Sequence, residues 1–196
     1  MLETTSQVSF VSPLSNLLKD QQAVSLAAFD GTVGLEDLSG QPIWHVRGDQ
    51  AESLLGTDPL AVGELTTFRG GLIARPRGDQ YLLIDLGPEI QSSTGGDSTL
   101  TVTDLTHGYG QLLLFGEQAT DVLAKVCGLD FSEKVFPNNH IAQTSLAKVR
   151  ATIIRHDQDK YPAYHILVGY PVTVYVWEVL FDAMQEFDGK YVVRPL

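Results

Sequence analysis

Cysteine is almost missing from this chain of 196 residues, since Cys127 is the single one. An internal disulfide is therefore impossible, and the chain alone cannot build a cysteine-rich zinc site. The first residues lack the basic segment and apolar run of a secretory signal. No stretch is apolar for long enough to cross a bilayer. These absences favour a cytoplasmic location.

Positive charge is scarce as well. Lysine and arginine together number 13 against 24 for aspartate and glutamate, which gives a formal net charge of −11. A surface of this sign repels phosphates, so general binding to nucleic acid or to anionic membranes is excluded. Hydrophobic residues make up 43% of the chain. That fraction is sufficient for a sizeable core, built as one domain or as two small halves that share it.

The common catalytic and cofactor motifs are missing. The segment from Gly108 to Leu113 begins like a dinucleotide-binding fingerprint, but leucine stands where the third glycine belongs and the segment precedes a strand. No phosphate-binding Gly-Lys-Ser loop occurs. Neighbouring carboxylates such as Asp182 and Glu186 lie on one predicted helix face, where like charges usually face water. The residues alone therefore predict no catalytic, cofactor-binding or metal-binding site.

The histidines and the lone cysteine do not form a recognisable reactive set. His45 and His165 alternate with apolar residues in predicted strands, which indicates positions at the surface or rim of a sheet. Cys127 could pair with a histidine as a nucleophile, but its place at the apolar end of a predicted helix favours packing. We expect ordinary, hydrogen-bonded histidines without metal-site spacing. The five are His45, His107, His140, His156 and His165.

Hydrophobic periodicity predicts strands interspersed with helices. Strands are predicted at residues 33–35, 43–46, 70–74, 81–84, 111–115, 151–155 and 164–168. Helices are predicted at residues 13–18 with Ser12 as the cap, after Gly48 with Ala51, Leu54 and Leu55 on one face, at 119–126, and at 171–187.

Two short motifs recur at a nearly constant separation. Asp37-Leu38-Ser39 returns as Asp104-Leu105-Thr106 after 67 positions, and the segment around Gly48 returns around Gly116 after 68 positions. The polar, glycine-containing residues 92–98 predict a linker between the copies. We expect two halves that together form one compact pair: residues 1–96, with the N-terminal helix and the first βα repeat, and residues 97–196, with the second repeat and the C-terminal helix.

Several segments resemble, in order and spacing, the gamma subunits of heterotetrameric sarcosine oxidases. These subunits are related to the glycine-cleavage T-protein and other aminomethyltransferase-type folate-binding domains. The resemblance extends from Ser12 to about Phe187. It implies an α+β, two-layer fold of internally duplicated βα units, with mixed or antiparallel sheets and helices packed on them. The most specific segments are residues 104–106, 123–131, 136–137, 143–147, 175–177 and 186–187.

This resemblance implies a structural role inside a larger enzyme. In such an oxidase FAD, FMN, NAD and tetrahydrofolate belong to the alpha and beta subunits and zinc to the delta subunit, so no cofactor is expected in this chain. The complex would demethylate sarcosine oxidatively, with this chain as a non-catalytic gamma-type subunit in contact with the alpha, beta and delta subunits. A subunit without its partners exposes apolar surface and can form homo-oligomers.

One departure from the T-protein pattern favours the non-catalytic role. T-proteins have a Gly-Gly-hydrophobic-hydrophobic-Asp stretch whose aspartate serves aminomethyl transfer. In this chain the residues after Gly70 and Gly71 are Leu72, Ile73 and then Ala74. Alanine cannot accept a proton or stabilise a cationic iminium.

The alternative hypothesis is a stand-alone, aminomethyltransferase-like protein that binds tetrahydrofolate and transfers a one-carbon unit. It requires an acidic residue beside a folate cleft, and the candidates are Glu36, Asp37 and Asp104. A third hypothesis is a homo-oligomeric binding protein of unknown ligand.

Overall fold

Twelve strands and three α-helices make up the described part of the chain. The computed structural model describes residues 10–48, 56–88, 100–158 and 160–194. The α-helices are α1 (Ser15–Leu18), α2 (Ala119–Val126) and α3 (Thr173–Ala183), and short 3₁₀ helices lie at Leu26–Ala28, Tyr170–Val172 and Gln185–Phe187. The strands are β1 (Ala23–Ser25), β2 (Gly34–Asp37), β3 (Ile43–Arg47), β4 (Leu65–Phe68), β5 (Gly71–Arg77), β6 (Gln80–Ile84), β7 (Thr101–Asp104), β8 (Tyr109–Phe115), β9 (His140–Leu146), β10 (Val149–Arg155), β11 (Ala163–Gly169) and β12 (Lys190–Val193).

The strands form two sheets. The larger sheet has seven strands in the order β1-β12-β2-β8-β11-β10-β9, and the smaller sheet has five in the order β4-β5-β6-β3-β7. Pairing is antiparallel except at β12, which runs parallel to both β1 and β2. The N-terminal strands β1 and β2 lie in the larger sheet, and β7 lies in the smaller one. Each sheet therefore contains strands from both sides of residue 96.

The internal repeat is visible in the strand order. The series β4-β5-β6-β3-β7 of the smaller sheet corresponds to β9-β10-β11-β8-β2 of the larger sheet. The registers agree, because β3 pairs with β7 from Trp44–Asp104 to Arg47–Thr101, and β8 pairs with β2 from Leu112–Asp37 to Phe115–Gly34. The two copies have thus exchanged partners, since β2 and β3 of the first pair with β8 and β7 of the second.

The Asp-Leu-Ser motif of the first copy ends β2 and holds the start of a strand from the second copy. Asp37 Oδ1 accepts a hydrogen bond from the Ser39 amide at 2.9 Å. The Leu38 amide donates to the Gln111 carbonyl at 2.8 Å, and the Ser39 hydroxyl accepts from the Gln111 amide at 3.2 Å. The motif thereby satisfies both backbone polar groups of Gln111 in β8.

The Asp-Leu-Thr motif of the second copy repeats these contacts on the first. Asp104 Oδ1 accepts from the Thr106 amide at 2.9 Å. The Leu105 amide donates to the Ile43 carbonyl at 2.8 Å, and the Thr106 hydroxyl accepts from the Ile43 amide at 3.1 Å. The repeat predicted from sequence is therefore a pair of reciprocal strand-to-strand contacts.

Glycine is required where β8 ends. Gly116 has a φ of 119°, and a Cβ atom there would lie 2.5 Å from the Thr32 carbonyl oxygen. Gly48, its counterpart after β3, also has a positive φ of 146°. Residues other than glycine rarely adopt such a positive φ. The repeated glycine is therefore explained by the backbone conformation that both copies share.

The main hydrophobic core lies between the larger sheet and helices α2 and α3. Val176, Trp177 and Leu180 of α3 are completely buried there against inward residues of β8, β10 and β11. A second apolar layer joins the two sheets. It contains Ile43, Leu65, Leu72, Ala74, Leu82 and Ile84 of the smaller sheet and Ile141, Ile154 and Leu167 of the larger sheet.

The α+β class, with mixed and antiparallel sheets and helices packed on them, agrees with the sequence prediction. The predicted strands are present, and the helix predicted at 171–187 is α3 flanked by two 3₁₀ turns. Helix α1 begins at Ser15, later than predicted, and the Ser12 hydroxyl accepts from the Leu14 amide at 3.1 Å. The helix predicted after Gly48 and the linker at 92–98 lie outside the described residues. Within the described segments, no helix has the length and apolar character needed to cross a membrane.

Candidate functional site

A polar cleft of about 570 Å³ opens between the two sheets. Its walls are β2, the end of β12 and the residues after β10 on one side, and the start of β5 and the end of β6 on the other. Leu72 and Val192 are among the apolar residues that line the cleft. Charged, amide and imidazole side chains at the cleft include Glu36, Asp37, Asp85, His156, Gln158, His165 and Arg194.

Strand alternation directs Glu36 and His165 to the cleft. Leu35 in β2, and Tyr164 and Ile166 in β11, pack into the core beneath the helices, so the residues next to them lie on the opposite face. Glu36 and His165 are each only 4% exposed. The prediction that His165 is a rim residue is wrong, because the smaller sheet covers that face of β11.

Arg194 forms an ion pair with Glu36 at one side of the cleft. Arg194 Nε donates to Glu36 Oε2 at 2.9 Å, and Arg194 Nη2 donates to Gln158 Oε1 at 3.4 Å. Burial raises the pKa of the Glu36 carboxyl, and the hydrogen bond and charge of Arg194 oppose this rise. The Arg194 side chain is 43% exposed and that of Glu36 only 6%. The pair therefore runs from the buried wall towards solvent.

The other two carboxylates, Asp37 and Asp85, differ in the hydrogen bonds that they already accept. Asp37 Oδ2 accepts from the Ser12 hydroxyl and Oδ1 from the Ser39 amide. Asp85 follows β6 with a left-handed φ of 58° and makes no side-chain hydrogen bond to another described residue. Desolvation raises the pKa of Asp85, and the charge of Arg194 opposes the rise. Among the described residues that line the cleft, Asp85 is thus the carboxylate without a side-chain hydrogen bond.

His165 is a neutral ring with unused hydrogen-bonding capacity. Burial, together with the charges of His156 and Arg194, lowers its pKa to about 4. Its Nδ1 atom is buried and has no partner among the described residues. An unsatisfied buried polar group costs about 1–3 kcal/mol. The expectation of fully hydrogen-bonded histidines therefore fails at this position.

Side-chain contacts hold the wall formed by residues 156–158. Arg155, which is 7% exposed, donates from Nε and Nη2 to the two carboxylate oxygens of Asp157, each at 3.0 Å. The Asp157 amide donates to Asn138 Oδ1 at 2.9 Å. His156 Nδ1 lies 2.9 Å from Asn139 Oδ1. This part of the cleft is therefore anchored to the segment before β9.

The structure brings two of the three acidic candidates to the cleft. Glu36 and Asp37 line it, whereas Asp104 lies at the end of β7 and accepts from the Thr106 amide. Hydrogen bonding with the Thr106 side chain, and then with its amide, lowers the pKa of Asp104. Sequence reasoning missed Asp85 and Arg194. No local pattern marks them, because they reach the cleft only through the pairing of distant strands.

Ala74 lies in the apolar layer between the sheets. It is completely buried in β5 and pairs with Leu65 and Leu82. The carboxylate that the T-protein pattern has after its Gly-Gly stretch is therefore absent, and the surroundings of this position are hydrophobic.

Cys127 has the packing role predicted for it. It is 7% exposed in the core, and its Sγ lies 3.9 Å from the Thr144 hydroxyl rather than beside a histidine. Among the described residues, no group of three or more histidine, cysteine or carboxylate side chains is placed to hold a metal ion.

Comparisons with known proteins support the fold. No family model and no curated protein sequence matches the chain. Among solved structures, it is similar to a chain of the heterotetrameric sarcosine oxidase from Corynebacterium sp. U-96, solved in complex with pyrrole 2-carboxylate, with 25% identity and a TM-score of 0.77. The match covers 94% of this chain and 99% of that chain. The fold is that of a sarcosine oxidase chain.

The related transferase fold is also matched. The glycine cleavage system aminomethyltransferase T from Bartonella henselae superposes with a TM-score of 0.70 at 16% identity. This match covers 94% of the chain but 60% of the transferase. The resemblance predicted from the sequence and the α+β fold class are both confirmed by these structures.

Proposed function

We propose that the protein is a non-catalytic, gamma-type structural subunit of a heterotetrameric, sarcosine oxidase-like flavoenzyme. The observation that carries the proposal is the match over the whole length of a sarcosine oxidase chain, 94% of this chain and 99% of that one. The chain spans 60% of the aminomethyltransferase. Length and identity therefore both favour the oxidase subunit over the transferase.

The residue that stands in place of the T-protein aspartate supports a non-catalytic role. Ala74 supplies no carboxylate where transfer requires one, and its neighbours are apolar. The FAD, FMN, NAD, tetrahydrofolate and zinc of the complex would then belong to the alpha, beta and delta subunits. In this proposal the assembled enzyme demethylates sarcosine in the cytoplasm, and this chain supports the assembly.

The charges of the cleft support the proposal that tetrahydrofolate belongs to another subunit. Its glutamyl tail is anionic, and the cleft presents the carboxylates Glu36, Asp37 and Asp85. Arg194, the one guanidinium among the described lining residues, is already paired with Glu36 at 2.9 Å. Like charges in a partly buried cleft repel strongly. We therefore assign this chain no step of one-carbon transfer.

Co-expression tests the subunit role. The tagged chain is produced with the sarcosine oxidase alpha, beta and delta subunits of its own source organism and purified through the tag. We expect a stable four-subunit complex with sarcosine-dependent oxygen consumption. If the other three subunits assemble and turn over sarcosine without retaining this chain, the proposal is wrong.

Calorimetric titration with tetrahydrofolate tests the alternative, a stand-alone aminomethyltransferase-like protein. The observation in its favour is that two of the acidic candidates, Glu36 and Asp37, line the cleft. We expect no saturable binding to the purified chain. Micromolar binding that is lost in Glu36→Gln would support the transferase and contradict the subunit role.

A further inference from the structure

The cleft carries polar residues that the fold itself does not require. The strand registers place His165 of β11 at the position that Leu82 of β6 occupies in the smaller sheet. By the same registers, Gln111 of β8 corresponds to Ile43 of β3. Leu82 and Ile43 pack in the apolar layer between the sheets. The same architecture is therefore stable with hydrocarbon side chains at both positions.

These polar residues are costly as they stand. His165 Nδ1 and both amide atoms of the Gln111 side chain are buried without a partner among the described residues. Each such group lowers the free energy of unfolding relative to a satisfied one. Unsatisfied polar groups of this kind concentrate at functional sites. His165, unlike Gln111, lines the cleft and can meet a ligand there.

The charges of the residues that line the cleft favour a positively charged ligand. Among the described lining residues there are three carboxylates, Glu36, Asp37 and Asp85, and a single guanidinium, that of Arg194. Arg194 engages Glu36 Oε2 and leaves Oε1 unused among the described residues. Asp85 makes no side-chain hydrogen bond to a described residue. A cation with N–H donors would find two carboxylate acceptors, and a neutral His165 ring supplies a further acceptor nitrogen.

We propose that this cleft binds a small organic cation, a protonated amine, between Glu36 and Asp85 with His165 as an additional hydrogen-bond acceptor. The apolar lining residues Leu72 and Val192 would contact the hydrocarbon part of the amine. Binding involves no bond making or breaking. It goes beyond the structural subunit role and does not depend on it, because the site lies within this chain.

Chemical-shift titration of the full chain tests the proposal. Three matched probes are added in turn: benzylammonium, benzyl alcohol and benzoate. We expect benzylammonium to shift the amide resonances of β2 and of residues 164–166 in a saturable manner. Benzyl alcohol, the uncharged isostere, should bind at least tenfold more weakly because charge-assisted hydrogen bonds are lost, and benzoate should not bind.

Substitutions at the cleft locate the site. Asp85→Asn should weaken benzylammonium about fivefold by removing a carboxylate that no described residue engages. Asp58→Asn, the same change at an exposed residue that does not line the cleft, should leave the affinity within about twofold. His165→Leu copies the side chain of the other sheet, so it should fold and should weaken binding.

Several results would overturn the proposal. One is the absence of saturable shifts with benzylammonium, and another is equal affinity for benzyl alcohol, which would indicate an apolar cleft alone. Unchanged affinity in both Asp85→Asn and His165→Leu would place the amine elsewhere. Tighter binding of Mg²⁺ at the same resonances would identify a metal site instead. None of these results bears on subunit assembly, which the co-expression experiment measures separately.

Discussion

The two sheets share a strand order and differ at one edge. In the smaller sheet β7 is the terminal strand, and its Thr103 is exposed. In the larger sheet the equivalent strand, β2, is followed by β12 and β1, and the equivalent residue, Glu36, is 4% exposed. The added strands convert a solvent-facing edge position into a buried wall. A duplicated framework can thus acquire a polar cleft in one copy by the addition of strands beside it.

The two sheets also differ in the polarity of the faces that they turn towards each other. The inner face of the smaller sheet is apolar and packs against the larger sheet through Leu72, Ala74 and Leu82. The corresponding region of the larger sheet contains Gln111 and His165 with unsatisfied polar atoms. The four predictions below test this difference, beginning with the largest expected effect.

A polar side chain placed on the apolar inner face of the smaller sheet should be severely destabilising. Leu82→His places an imidazole in the apolar layer and should lower the free energy of unfolding by about 4 kcal/mol. Urea unfolding followed by tryptophan fluorescence measures the change. Leu82→Met is the matched control and should cost less than about 1.5 kcal/mol. Equal costs for the two variants would show that the layer tolerates polar groups.

The opposite exchange, His165→Leu, should remove a pH dependence of stability. The pKa of His165 is about 4 in the folded protein and 6.5 ordinarily. The unfolded state therefore binds more protons between these values, and the free energy of unfolding falls as the pH drops from 6.5 to about 4. The loss attributable to this group is about 3 kcal/mol over that interval.

The measurement is the difference in unfolding free energy between wild type and His165→Leu at several pH values. Glu36 and Asp85, whose raised pKa values favour the folded state at lower pH, act in both proteins and so largely cancel from the difference. The leucine variant should gain stability relative to wild type as the pH falls. Parallel stability curves would contradict the neutral, buried state of His165.

The ion pairs of the two sheets should differ in strength. Arg194→Met leaves the carboxylate of Glu36, whose side chain is 6% exposed, without its partner and should cost about 2 kcal/mol. Arg47→Met breaks the pair with Asp79 in the smaller sheet, where the side chains are 55% and 47% exposed. That change should cost less than about 0.5 kcal/mol. Thermal unfolding at low and moderate salt compares them; similar costs would argue against a buried wall at β2.

The reciprocal motif contacts should give the smallest effects. Thr106→Val removes the hydroxyl that accepts from the buried Ile43 amide at 3.1 Å and should cost about 1.5 kcal/mol. Ser39→Ala removes the equivalent, partly buried contact to Gln111 at 3.2 Å and should cost about 0.5 kcal/mol. Both are read from urea unfolding midpoints. A larger loss for Ser39→Ala than for Thr106→Val would contradict the prediction that the more buried contact contributes more to stability.

Much of the fold was predictable because its signals are local. Short runs of apolar residues indicated β3, β6, β8 and β11, and the helical spacing at 171–187 indicated α3. Strands β1, β4, β7, β9 and β12 were not predicted. β9 lies at the edge of the larger sheet with several exposed residues, so its sequence lacks a continuous apolar pattern. Its strand conformation comes from pairing with β10 rather than from its own composition.

The candidate site was predictable only in part. Glu36 and Asp37 were identified because they are adjacent carboxylates beside a repeated motif. His165 was expected at a sheet rim, since alternation along a strand shows that two faces differ but not that both are covered. Asp85 and Arg194 meet at the cleft although they are more than a hundred residues apart in the chain. Such a juxtaposition follows from strand order alone.

Local chemistry in the sequence determined the strand and helix periodicity, the repeated Asp-Leu-Ser/Thr turns and the need for glycine after β3 and β8. These depend on side-chain size, hydrogen-bonding capacity and backbone freedom within a few residues. Only the tertiary structure decided which strands became neighbours, that β12 would bury Glu36 beside Arg194, and that His165 would remain uncharged. The reason is that burial and electrostatic environment depend on what packs against a residue, and in this protein the packing groups come from distant parts of the chain.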